Sequence, residues 1–132
     1  VKLQNKKCFY CEKEPVGTME VDHFLPFSKH RNESLDNLIA SCRACNGSKS
    51  DSYASPRHLI KWSKRFTPGL ISSELDSIAE STGYLRKSSE ILNTARSVYF
   101  FKPEGLLLWD QKLGSVPLLH GECHSALDGL HL

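Results

Sequence analysis

Two C-x2-C pairs, Cys8/Cys11 and Cys42/Cys45, constrain this chain more than any other feature of its sequence. A C-x2-C turn can aim two thiolates at one ion, and two such turns complete the four-thiolate tetrahedron that zinc favours. A site closed in this way leaves no open position for water or substrate, so its role is structural. The 30 residues between the pairs exceed what a simple zinc ribbon needs, so the metal staples both ends of a sizeable loop. A fifth cysteine, Cys123, stands apart. An odd count, with no leader-like segment at the front, fits metal-bound thiolates in a reducing cytoplasm better than a disulfide framework. His120 and His124 flank Cys123, but their spacing matches no firm ligand pattern, and Cys123 is expected to be a lone thiol.

The chain has 132 residues, enough for one domain or a compact domain with an appendage. Its 39% hydrophobic and 24% charged residues are those of an ordinary globular chain, which argues against disorder. No apolar run approaches the roughly 20 residues that a membrane span requires. The sequence opens at Val1 and its only methionine is Met19, so it is expected to be a fragment of a longer protein. Net charge is only +2, but it is unevenly placed. Residues 1–66 carry 12 Lys/Arg against 7 Asp/Glu, and residues 67–132 carry 5 against 8. The front half could attract a polyanion and the back half could not.

Alternation over Thr18–Asp22 predicts a half-buried strand ending before Pro26, followed by a charged loop over Ser28–Asp36. Asn37–Ser41 reads as a second short strand and Cys42–Asp51 as a short helix. Ser55-Pro56 is a helix start, with a capping hydroxyl and then proline at the first helical position. That helix runs to about Phe66. Helical spacing recurs over Ile71–Ala79, stopped at Gly83, and over Ile91–Tyr99. Leu106–Trp109 reads as a strand, and the last dozen residues as a tail. The sequence thus divides into a zinc-stapled unit over 1–55, which carries the chemistry, and a mainly helical extension over 56–132.

Between the cysteine pairs lies a polar constellation. Asp22 and His23 end the first predicted strand, where adjacent residues face opposite ways unless a bulge re-aims one. Asp22 can hold a hard divalent cation through oxygen. His23 can accept a proton from water near neutral pH. Asn46 follows Cys45 directly, so a bound zinc would give its amide the fixed position that a ligand requires. Asn37 offers a second orienting amide. Lys49, one helical turn beyond Asn46, is placed for a phosphate.

These segments together resemble the HNH endonuclease family. The resemblance runs through Cys8-Phe9-Tyr10-Cys11, Val21-Asp22-His23-Phe24-Leu25-Pro26-Phe27-Ser28, Leu35-Asp36-Asn37-Leu38 and Cys42-Arg43-Ala44-Cys45-Asn46-Gly47-Ser48-Lys49. It spans residues 8 to about 51 in matching order and spacing. It implies an α+β fold with a small ββα-metal core. It also implies a structural zinc on Cys8, Cys11, Cys42 and Cys45. His23 becomes the general base and Asn37 the residue that steadies the loop and helps orient that base. Asp22 and Asn46 become ligands of a catalytic Mg or Mn ion. Asn46 stands where many members have histidine, an alternative the family uses, so the preferred ion is left open. Lys49 matches the family's trailing lysine, a phosphate contact.

The expected activity is hydrolysis of DNA phosphodiester bonds to a 5′ phosphate and a 3′ hydroxyl, in a restriction or phage-defence setting. Lys29, Arg31, Arg43 and Lys49 are the expected DNA contacts. The alternative is a non-catalytic, zinc-dependent module that grips nucleic acid without cutting it. No segment of the front half reads as a base-recognition element, so sequence specificity is not expected to reside there.

Overall fold

The computed structural model describes residues 4, 6–128 and 130. Strand β1 (Glu20–His23) pairs antiparallel with β2 (Leu38–Ser41), and helix α2 (Arg43–Lys49) follows directly. This is a ββα unit. Its register sets Glu20 against Ser41, Val21 against Ala40, Asp22 against Ile39 and His23 against Leu38. Asp22, Ile39 and Ser41 are buried, while Val21 is 68% exposed, so one face of the ribbon is covered and the other open. The helix α2 lies on the covered face, with Asn46 against Glu20 and Lys49 against Asp22.

The segment joining the strands is more ordered than a charged loop. It contains a single helical turn, α1 (Phe27–His30), and a 3-10 turn over Leu35–Asn37. The buried side chain of Asn37 organises it. Its Oδ1 accepts from Leu25 N at 2.8 Å, and its Nδ2 donates to the carbonyls of Leu25 (3.0 Å) and Asn32 (2.9 Å). A fully paired buried amide is a rigid tie, because breaking any one bond strands a polar group away from water.

Helices α3 (Pro56–Ser63), α4 (Leu70–Thr82) and α5 (Ser88–Phe101) lie where their apolar spacing places them. A 3-10 turn over Lys64–Phe66 extends α3. Gly83 closes α4 at φ 81°, a conformation that costs glycine little. Ser55 occupies the N-cap position of α3, but its hydroxyl caps nothing. It donates instead to Asp110 Oδ1 at 2.6 Å.

The expected tail is structured as far as it is described, with residues 129, 131 and 132 lying outside the described residues. Strands β3 (Leu107–Asp110) and β4 (Gly114–Pro117) form an antiparallel hairpin, and helix α6 (His120–Leu127) follows. Leu118, Cys123 and Leu127 are completely buried, with α6 packed against α3 and α5. A helix of two turns with only this short apolar stripe carries too little periodicity to be read from sequence.

A single apolar cluster runs through both halves of the chain. Phe24 stacks on Trp62 with ring centroids 4.6 Å apart, and Trp62 meets Phe66 edge-on at 4.8 Å. The hairpin adds a backbone tie. Trp109 N donates to Tyr53 O and Ser55 N donates to Trp109 O, both at 2.8 Å, so β3 lies beside the segment leaving α2. The indole of Trp109 donates to Ser48 Oγ on α2 at 2.9 Å. The C-terminal region is therefore a brace against the ββα unit.

Candidate active site and metal centre

The four paired cysteines converge. Their sulfur atoms all lie within 4.8 Å of one another, with Cys11 and Cys42 4.0 Å apart. Zn–S arms of about 2.3 Å would give a tetrahedron with edges of about 3.8 Å. A disulfide needs about 2.04 Å, and all five cysteines are free. The first pair comes from the turn before β1 and the second from the start of α2. Cys42 is the N-cap of that helix, its sulfur accepting from Cys45 N at 3.5 Å. Burial pushes the Cys8 thiol up, but the backbone amides of Cys11, Cys42 and Tyr10 outweigh it and bring the pKa down to about 7. The donor set and its spacing are those of a structural zinc site. Cys123 is not part of it. Its thiol is buried and pushed up to about 11, chiefly by desolvation.

Asp22 and Asn46 both belong to the covered face of the ribbon. Asp22 Oδ2 accepts from the Tyr10 hydroxyl at 2.9 Å and lies 3.3 Å from Lys49 Nζ. Asn46 Nδ2 donates to Glu20 Oε1 at 2.9 Å. Among the described residues, neither Asp22 Oδ1 nor Asn46 Oδ1 makes a hydrogen bond. Each side chain is thus held by one polar atom, Oδ2 of Asp22 and Nδ2 of Asn46, and keeps its Oδ1 uncommitted. That donor set, one carboxylate and one amide oxygen, suits a hard divalent cation.

His23 closes the strand in regular register, with no bulge to re-aim it. Its ring lies tilted against Phe27 with centroids 5.0 Å apart, and Nε2 is 3.3 Å from Glu33 Oε1. It therefore sits at the strand end, at the rim of the ribbon. Asn37 does not touch the imidazole. It acts one step back, because its own carbonyl accepts from Phe24 N at 2.8 Å and its amide fixes Leu25, so the backbone leaving His23 is held.

Lys49 is not placed as the sequence suggests. Its side chain is fully buried, and its ammonium donates to His23 O at 3.2 Å besides meeting Asp22. Desolvation pulls its pKa below the usual lysine value, while the Asp22 carboxylate opposes that. Lys49 therefore meets Asp22 and the end of β1 and does not stand at the surface, where the expected phosphate contact would place it. The helical spacing that aimed it at a ligand also aims it into the ββα interface.

The other expected contacts are at the surface. Arg43 and Arg31 are exposed, with Arg31 5.9 Å from the Phe27 ring. Lys29 donates to Asp51 O at 2.6 Å and lies 5.5 Å from the Tyr53 ring. It lines a cleft of about 370 Å³ with Ser52 and Tyr53 and, from the back half, Lys102 and Leu106. His30, one residue from Lys29, bonds Tyr53 Oη at 2.7 Å, and its pKa is lowered by burial and then by the charges of Lys102 and Lys29.

Sequence reading missed Glu20, Tyr10 and Lys102. Glu20 lies two residues from Asp22, and strand period two was the available signal. Tyr10 and Lys102 carried no signal, since their partners are set by tertiary packing.

Part of the chain is similar to known proteins. Residues 8–52 match the model of the HNH endonuclease family, and this segment is the ββα unit with its four-cysteine cluster. The chain is also 43% identical over 54 residues to the Septu protein PtuB of Bacillus thuringiensis. That alignment covers 37% of this chain and 21% of the relative, so the likeness spans about a fifth of the relative's length. No solved structure matches the chain. Among the described residues, no helix is long and apolar enough to cross a membrane.

Proposed function

We propose that this chain is a metal-dependent HNH endonuclease that hydrolyses DNA phosphodiester bonds. The observation that carries the reading is the ββα unit over residues 8–52, in which Asp22 and Asn46 share a face and His23 stands at the adjoining strand end. Asp22 and Asn46 would hold a Mg or Mn ion through their uncommitted oxygens. When bound, that ion supplies positive charge to stabilise the departing 3′ oxygen.

The remaining work falls to the chain itself. His23 accepts the proton of the attacking water, and imidazole is the side chain suited to this near neutral pH. Asn37 keeps the loop behind His23 in place. Lys49 and Tyr10 hold the Asp22 carboxylate in one orientation. The zinc cluster keeps α2 closed on β1, which fixes Asn46 relative to Asp22. The products are a 5′ phosphate and a 3′ hydroxyl. A cytoplasmic role in restriction or phage defence, as part of a larger protein, belongs to the same proposal.

Plasmid incubation with Mg²⁺ or Mn²⁺, followed by end-group analysis, tests the reading. His23→Ala should lower cleavage by roughly 10² to 10⁴-fold while the protein stays folded. Undiminished cleavage by that variant, purified free of other nucleases, would refute the assignment.

One observation favours the non-catalytic alternative. The Lys49 ammonium already neutralises part of the Asp22 charge, which lessens the demand for a cation. DNA binding without cleavage under any divalent ion would decide for that reading.

A further inference from the structure

Tyr10 belongs to the zinc turn by sequence and to the cation site by contact. It lies between Cys8 and Cys11, is 1% exposed, and reaches Asp22 Oδ2 through its hydroxyl at 2.9 Å. Its ring is walled on three sides. Phe9, Trp109 and His58 meet it edge-on, at centroid distances of 5.2, 4.9 and 5.1 Å. A phenol has only two side-chain torsions, and those contacts fix both, so the hydroxyl has one position.

Tyr10 and Lys49 together occupy one oxygen of Asp22 and leave the other uncommitted. They restrain the carboxylate from different directions. Lys49 comes from α2 and brings charge. Tyr10 comes from the cysteine turn and brings direction. Polar groups that orient a ligating carboxylate are worth about 10–100-fold in metal affinity.

We propose that Tyr10 is a positioning residue for the cation site: its hydroxyl fixes the rotamer of Asp22, so closure of the four-cysteine turn sets the affinity of the separate divalent-ion site. The inference rests on the reading of Asp22 as a cation ligand. It gives the first cysteine pair a second task, because the turn that holds the zinc also delivers the hydroxyl. It also assigns a specific role to one of the two residues between the cysteines, a position that could otherwise be any residue that fits the turn.

The experiment measures Mn²⁺ binding directly by electron paramagnetic resonance, in a His23→Ala background. Tyr10→Phe keeps the ring and its three aromatic contacts and removes only the hydroxyl. The expected result is a 10–100-fold rise in the Mn²⁺ dissociation constant, with zinc content and thermal midpoint close to the parent. With His23 intact, the Mg²⁺ concentration for half-maximal cleavage rises by the same factor, while the rate at saturating Mg²⁺ changes by less than threefold. Mn²⁺ affinity within twofold of the parent overturns the proposal, as does a loss of affinity that tracks a loss of zinc. Asp22→Asn separates the two levels of the argument. If it abolishes Mn²⁺ binding while Tyr10→Phe binds normally, only the role of Tyr10 fails. If it binds Mn²⁺ as the parent does, the cation-site reading itself fails and takes this inference with it.

Discussion

Arg86 reaches across 50 residues of sequence to place Nη2 2.6 Å from Asp36 Oδ1, and its Nε donates to the same oxygen at 3.1 Å. Asp36 is wholly buried, and Lys87 N and Ser88 Oγ bond it as well, at 2.8 and 3.1 Å. Its backbone carbonyl accepts from Trp62 Nε1 and from the buried Arg65. One residue of the ββα unit thus gathers three points of the C-terminal region. Removing one partner from a buried ion pair leaves an unpaired charge, at a cost of about 3–5 kcal/mol. Arg86→Ala is expected to lower unfolding stability by that order, measured by urea denaturation. Asp36 also adjoins Asn37, so Arg86→Ala should reduce cleavage although it touches no reacting group. Unchanged stability would mean that the network contributes nothing to the fold.

The zinc cluster predicts a coupled loss. Cys42 supplies a thiolate and caps α2, so Cys42→Ser weakens the metal site and the helix start together. Because one apolar cluster spans both halves, unfolding is expected to be global. Metal binding to such sites contributes directly to folding free energy. Circular dichroism during chelation should show helix loss far exceeding the seven residues of α2. Retained helicity after complete zinc removal, verified by elemental analysis, would contradict this.

These two relationships show what the sequence could and could not carry. The cysteine spacing, the strand alternation and the apolar periods of α3, α4 and α5 are local signals, and local signals placed those elements. The residues expected to form the site lie within one third of the chain, so local spacing was enough to propose them as a group. The brace was not. Asp36 read as one charge in a charged loop, and Arg86 as one charge among few, because their pairing depends on tertiary packing alone. Lys49 was misplaced for the same reason. The period that brings it to the Asp22 side is legible, but its complete burial, with the ammonium against Asp22 and the His23 carbonyl, is set by tertiary packing. Helix α6 has only Cys123 and Leu127 to mark its buried side, and Gly121 obscures even that.

Stability should fall in mild acid because of His58. Its ring is buried against Tyr10 and Trp109, and Nε2 accepts from Gln111 N at 3.2 Å, which requires the neutral form. Burial, with Arg57 nearby, lowers its pKa from 6.5 to about 4. A folded pKa below the unfolded one means that the unfolded chain binds the proton more readily. The contribution is therefore complete above pH 6.5 and is lost as pH falls towards 4, on the order of 3 kcal/mol. Asp110 acts in the same direction at lower pH. Its burial is outweighed by donors from Ser55, Arg57, Leu113 and Lys112, which hold its carboxyl below the usual range. Urea midpoints between pH 7 and 4 should fall in the parent and fall much less in His58→Gln. An equal slope in both would exclude His58 as the source.

The basic cleft gives a prediction about DNA contact that separates surface from buried lysine. Lys102 comes from the acidic half of the chain, yet it lines the same cleft as Lys29 and lies near enough to His30 to depress its pKa. Basic groups gathered there repel one another until an anion arrives. The cleft also adjoins α1, whose first residue, Phe27, lies against His23, so a strand cut at His23 could pass across it. Each phosphate contact adds about 0.9 to the steepness with which log affinity falls with log salt. In a His23→Ala background, Lys102→Ala should weaken DNA binding about equally across sequences and reduce that slope by about one. Lys49→Met should leave the slope unchanged, because its ammonium faces Asp22 and not solvent. Fluorescence anisotropy from 50 to 200 mM salt measures both. A slope altered by Lys49→Met and untouched by Lys102→Ala would reverse the assignment.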